Sequence, residues 1–158
     1  MDLILWRHAE AQDLEAQDHG AGLDDMARPL TRRGEKQAAR MAAWLDRQLP
    51  EGTRILVSPA RRTLQTANAL GRKYRVHDAL QPGAQVDAVL HLAGWPDARV
   101  PVLIVGHQPT LGQVAARLLG MTATDCAMRK GAVWWLRQRQ RQGLAQTVVQ
   151  TVQTPDLL

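Results

Sequence analysis

Two histidines and a few arginines stand directly behind short apolar runs, and that placement could do chemistry. Arg7-His8 follows Leu3-Ile4-Leu5-Trp6, and His107 follows Val102-Leu103-Ile104-Val105-Gly106. Ser58-Pro59-Ala60-Arg61-Arg62 follows Ile55-Leu56-Val57. If the three runs are strands of one open α/β sheet, these groups collect outside the strands' carboxyl ends, where such sheets bind ligands. Guanidinium forks match phosphate oxygens, and helices starting after those ends would add partial positive charge from their amino termini. A neutral imidazole is a nucleophile at physiological pH and accepts a phosphoryl group. Phosphoryl transfer passes through a charge-spread transition state, so the protein's task is to hold the equatorial oxygens while the nucleophile lies in line. His8 as nucleophile, with Arg7, His107 and an arginine of the 61–62 pair around the phosphate, meets that need. A single strand-end histidine is more often just a satisfied polar residue; the coincidence of three strand ends carries the reading.

The elements that would position these groups follow from the apolar pattern. Residues 2–7, 55–57 and 102–105 read as buried strands, and 74–77 as a short one. Residues 9–30 are acidic and without periodicity, so a long loop is expected. Ala38, Met41, Ala42, Leu45 and Leu49 share one helical face, with Thr31 as N-cap, Leu30 placed as a hydrophobic staple and Pro50 and Gly52 as the stop. Ser58 is expected to cap a second helix, with Pro59 at its first position, running to about Gly71. Further helices are expected over about 84–93 and from Pro109 to Leu119, the latter closed at Gly120. Segments 132–136 and 145–152 read as an antiparallel hairpin turning near Gly143, with the run Arg137–Gln142 ending one strand and forming a polar tip. The fold class expected is α/β: a three-layer α/β/α sandwich, its central sheet mostly parallel, with the hairpin at one edge.

Four segments resemble the motifs of the histidine phosphatase superfamily, whose fold is phosphoglycerate mutase-like. Leu3-Ile4-Leu5-Trp6-Arg7-His8-Ala9 is similar to its Arg-His-Gly signature, with Ala9 in place of glycine. Arg28-Pro29-Leu30-Thr31-Arg32-Arg33-Gly34, then Val57-Ser58-Pro59-Ala60-Arg61-Arg62-Thr63 and Val105-Gly106-His107-Gln108-Pro109, resemble the other three in the family's order. The short length and the Arg-Pro-Leu-Thr-x-x-Gly form point to the small SixA-type phosphohistidine phosphatase branch. The resemblance implies one domain over 1–158 and a metal-independent phosphatase acting through a phosphohistidine intermediate. It assigns the phosphate-binding arginine to Arg62, four residues after Ser58, and leaves Arg61 facing solvent. Arg7, Arg62 and His107 are the expected phosphate ligands, His107 as a cationic or hydrogen-bonding partner. Arg28 and Ser58 are expected at the rim or in support; a plainer reading of Arg28 is a loop charge neutralising Asp24 and Asp25. Larger relatives use a carboxylate general acid; here the nearest acids are Asp78 and Glu10, neither in a recognisable acid motif. That gap favours a good leaving group, hence phosphohistidine on a signalling or carrier protein. A small-molecule phosphomonoesterase or a non-catalytic phosphate-binding adaptor would use the same site.

Composition narrows the classes further. A chain of 158 residues, 45% hydrophobic and 22% charged, suits one globular domain. The apolar runs are too short to span a bilayer, and no basic stretch precedes the first of them, so a cytoplasmic protein is expected. The single Cys126 excludes an intramolecular disulfide, and His19 and His91 lack partners at metal-ligand spacing. No cofactor and no metal are expected. The net charge of +5 suits anionic partners. The Arg/Gln run at 137–142 lacks the interleaved aromatics of a nucleic-acid surface, so no nucleic-acid partner is expected. A monomer acting on a phosphorylated protein is the expectation. Trp6, Trp44, Trp134 and Trp135 are expected in packing, and Trp95 in an exposed loop.

Overall fold

Leu3, Leu5, Val102 and Ile104 pack on one side of a sheet, and Ile4, Trp6, Leu103 and Val105 on the other, so alternate residues of the central strands feed two separate cores. Strands buried on both faces read as continuous apolar runs, and this is why the first and fourth runs stood out. The computed structural model describes residues 1–14 and 24–158. Among these residues the strands are β1 (Asp2–Arg7), β2 (Arg54–Val57), β3 (Arg75–Val76), β4 (Val102–Gly106), β5 (Val133–Arg141) and β6 (Leu144–Gln153). They form one sheet in the order β3-β2-β4-β1-β5-β6. The β3–β2, β2–β4 and β4–β1 pairs are parallel, and β1–β5 and β5–β6 are antiparallel.

Helices α1 (Arg32–Gln48) and α2 (Arg61–Asn68) cover one face through Met41, Ala42, Leu45 and Ala67. Helices α3 (Val86–Ala93) and α4 (Thr110–Leu118) cover the other through Val86, Val89, Leu111, Val114 and Ala115. The three-layer sandwich with a mostly parallel sheet and an edge hairpin is as expected. The hairpin is longer than expected: Arg137 to Arg141 stay in register with Val148 to Leu144. The polar run ends β5 as expected, but only its last residue, Gln142, enters the turn, which is confined to Gln142 and Gly143, both at positive φ. That is the geometry of a two-residue turn whose twist matches the strands it joins. The ladder also binds Asp2 to Arg137 and Trp135, which anchors β1 to β5.

Three local expectations are corrected. Leu30 does not staple α1, because the position it would meet is Glu35; it packs instead with Ala9, Ala11 and Ala38. Thr31 does cap α1, accepting from the Gly34 amide at 3.0 Å. Ser58 does not cap α2: the helix starts after Ala60 and ends at Asn68, and the Ser58 hydroxyl turns to His107. Trp95 is half-buried and packs on the α3–α4 core. The expected loop 9–30 holds a bridge between Ala11 and Leu30 and a 3₁₀ turn over Asp25–Ala27. Its residues 15–23, His19 included, lie outside the described residues.

Candidate active site

The three strand ends are brought together because β2, β4 and β1 are neighbours in the sheet. The His8 amide donates to the Gly106 carbonyl at 3.1 Å, and the Ser58 amide to the Val105 carbonyl at 3.1 Å. These bonds continue the ladder past the strands and hold His8, Ser58 and His107 side by side. A cleft of about 160 Å³ opens over them, lined by Arg7, His8, Ala11, Asp13, Arg28, Arg62, Pro82, His107, Gln108 and Lys130. Four of these are Arg or Lys and one is a carboxylate, so the cleft selects for anions.

His8 is 7% exposed. Its Nδ1 lies 2.7 Å from the Ala9 carbonyl oxygen, which can only accept, so Nδ1 carries the proton and Nε2 keeps the lone pair. Burial, then the neighbouring His107, Arg62 and Arg7, push its pKa down to about 3, against the pull of the Ala9 bond. His107 is also pushed down to about 3, by burial and by Arg62. Both imidazoles are therefore neutral at pH 7. The ring centroids are 5.3 Å apart. The Ser58 hydroxyl is 2.7 Å from His107 Nε2.

Arg7 donates from Nη1 to the Met128 carbonyl at 2.6 Å. Arg62 is 3% exposed, whereas its neighbour Arg61 faces solvent. Both terminal nitrogens of Arg62 are held by one residue: Nη1 donates to the Asp25 carbonyl at 2.7 Å and Nη2 to the Asp25 carboxylate at 3.1 Å. Arg28 Nε donates to the other Asp25 oxygen at 2.9 Å. Partial burial works against the Asp25 charge, but Arg62 and Arg28 outweigh it and hold its pKa below the usual range. Arg7 Nε, Arg62 Nε and His107 Nδ1 are buried without a protein partner among the described residues. The two guanidinium N–H groups are orphaned donors on cleft-lining residues, which a bound anion could satisfy.

Asp25 was not singled out from the sequence as a site residue. The one available signal was its i, i+3 spacing to Arg28; its reach to Arg62 spans 37 positions. Asp24 does not share in neutralising Arg28; its carboxylate caps the 3₁₀ turn at the Met26 amide. Neither sequence-nominated acid lines the cleft. Asp78 is exposed on a 3₁₀ turn over Asp78–Leu80, and Glu10 accepts from the Thr31 hydroxyl at 2.9 Å and pairs with Arg33. Asp13 is the carboxylate that does line it. The Ala9 amide is bonded to the Thr66 hydroxyl at 3.1 Å, so the methyl in place of glycine packs inward with Ala11, Leu30 and Ala38. The α4 amino terminus is not free for an anion at Gly112, whose amide donates to the Gln108 side chain at 2.6 Å. Among the described residues no helix is long and apolar enough to cross a membrane.

Known proteins resemble this chain in sequence and in fold. The chain is 32% identical over 126 residues to the phosphohistidine phosphatase SixA of Escherichia coli (strain K12), covering 75% of this chain and 74% of that one. It is 30% identical over 135 residues to a phosphohistidine phosphatase SixA homolog of Haemophilus influenzae, covering 76% and 78%. The solved structure of the protein histidine phosphatase SixA complexed with tungstate superposes with a TM-score of 0.79 at 26% identity over 99% of both chains. A sequence profile of the histidine phosphatase superfamily (branch 1) matches residues 3–83, half of the chain including three of the four motifs; with the relatives above, the chain belongs to that superfamily.

Proposed function

We propose that this chain is a single-domain phosphohistidine phosphatase that removes phosphate from a histidine on another protein. In this reading His8 Nε2 attacks phosphorus, and the P–N bond of the substrate breaks as its imidazole leaves in protonated form. Water then hydrolyses the His8–phosphate bond and releases inorganic phosphate. Arg7, Arg62 and His107 hold the phosphoryl oxygens through both steps. The observation that carries the reading is the neutral His8, proton on Nδ1 and lone pair on Nε2, beside buried donors that lack partners. A nucleophile that is already deprotonated needs no separate base.

The preference for a protein-borne phosphoramidate rests on two features. The cleft of about 160 Å³ takes a phosphoryl group and a small part of its carrier, so the body of a protein substrate lies outside it. Among the described residues Asp13 is the one carboxylate of its lining, with Asp78 and Glu10 outside it, and a leaving group that departs already protonated needs none of the three. The test is single-turnover dephosphorylation of a phosphohistidine-bearing carrier protein by wild type and His8→Ala, quenched early. Acid-labile phosphate on the wild type, absent from the variant, is the expected result. No label and no turnover on that carrier, with turnover of phosphomonoesters, would reassign the substrate to small molecules. Phosphate binding without turnover of either would leave an adaptor.

A further inference from the structure

We propose that Ser58 is a positioning residue: its hydroxyl fixes His107 as an Nδ1–H donor toward the phosphoryl group, an assignment that rests on reading the cleft as a phosphoryl site. Ser58 is fully buried, and its amide ties it to β4, the strand that carries His107 at its end. The Ser58 oxygen accepts from the Ala60 amide at 3.3 Å and lies 2.7 Å from His107 Nε2. An amide can only donate, and a hydroxyl has one proton to give. The consistent direction is therefore Ala60 N–H to Ser58 Oγ, then Ser58 O–H to His107 Nε2. Reversed, the Ser58 proton has no acceptor among the described residues, and His107 Nδ1 becomes a bare lone pair. That nitrogen is buried, without a protein partner, on a residue that lines the cleft. A lone pair there would repel a phosphoryl oxygen, whereas an N–H binds it.

The consequence is a division of labour between two neutral imidazoles. The Ala9 carbonyl takes the Nδ1 proton of His8 and leaves it a lone pair at Nε2. The Ser58 hydroxyl takes up the Nε2 lone pair of His107 and leaves it a proton at Nδ1. The two rings, 5.3 Å apart, thus present opposite polarity to one substrate, and a neutral backbone or hydroxyl partner sets each polarity. A free imidazole of histidine prefers its proton on Nε2, so the His107 tautomer is imposed by the fold.

The test is a long-range ¹H–¹⁵N spectrum of the full chain labelled at histidine, at pH 7, for wild type and Ser58→Ala, with ring signals assigned through His8→Gln and His107→Gln. The wild type is expected to show His107 protonated at Nδ1 and unprotonated at Nε2. In Ser58→Ala the His107 proton should move to Nε2 while His8 keeps its own on Nδ1. Turnover should fall on the order of 10²-fold, the lower end of the range for loss of a transition-state donor, with kcat falling more than KM changes. A wild-type His107 protonated at Nε2 overturns the proposal, as does an unchanged tautomer in Ser58→Ala at any turnover. If that variant does not fold, the wild-type spectrum still decides. An Nδ1–H His107 in a protein that turns over no phosphohistidine supports the assignment and overturns only the substrate reading.

Discussion

Arg62 shows how much of a site's geometry depends on a residue outside the obvious motif. Its guanidinium is almost wholly buried, and Asp25 engages both of its terminal nitrogens. A buried arginine held this way keeps one rotamer, and on the proposed reading its remaining donors are aimed before the anion arrives. Asp25→Ala should therefore weaken inorganic phosphate as a competitive inhibitor by roughly tenfold, the worth of a charge-assisted contact. It should also cost about 1–2 kcal/mol in urea unfolding, between the exposed and buried limits for ion pairs, since the Asp25 side chain is 39% exposed. Tighter phosphate inhibition in the variant would mean that Asp25 competes with the substrate instead of aiming Arg62.

At the scale of elements, α1 and α4 are pinned by close approaches that only glycine permits. A Cβ on Gly34, in the first turn of α1, would overlap the Glu10 carbonyl oxygen just beyond β1. The same carbonyl accepts from the Thr31 amide at 3.0 Å, so α1 is docked on the backbone that leads from His8. A Cβ on Gly112 would overlap the Cys126 carbonyl, which also accepts from Gln108 Nε2 at 3.0 Å. Replacing glycine by alanine inside a helix ordinarily gains about 1 kcal/mol. Here the sign should reverse: Gly34→Ala and Gly112→Ala should each lose at least about 2 kcal/mol in urea titration, because backbone must move to make room. A gain in either variant would show that the helix moves freely against its neighbour. The motif glycine at 34 then has a packing reason, independent of chemistry.

For the molecule as a whole, the two neutral histidines make folding sensitive to acid. Their folded pKa values, about 3, lie below the ordinary 6.5. The unfolded chain therefore binds protons that the folded chain refuses, so stability is complete above about pH 6.5 and is lost as pH falls toward 3. Each group contributes a slope of about 1.4 kcal/mol per pH unit inside that window, so the pair contributes up to about 3. Urea midpoints measured from pH 7 to pH 4 should fall accordingly, and the His8→Asn, His107→Asn double variant should flatten the curve. An unaltered slope in the double variant would place the acid sensitivity elsewhere. The sheet order explains why both groups share one environment, since β1 and β4 are direct neighbours and end together at Arg7 and Gly106.

The α/β layering, the buried strands and the groups at their ends were legible in the residues alone, because those signals are local. Four-residue apolar runs bury on two sides, Thr31 caps α1, and whatever follows a parallel strand emerges at its carboxyl end. The family motifs added Arg62 over Arg61, a choice that spacing left open. What those groups touch was set by packing between distant segments. Asp25 reaches Arg62 across 37 positions, Glu10 is drawn to Thr31 and Arg33, and Ser58 leaves its capping role for His107. Each of these pairs elements whose separation in sequence carries no periodic signal. The proton positions on His8 and His107 depend on the same packing: a ring nitrogen donates or accepts according to the partner that the fold sets beside it, and burial keeps both rings neutral.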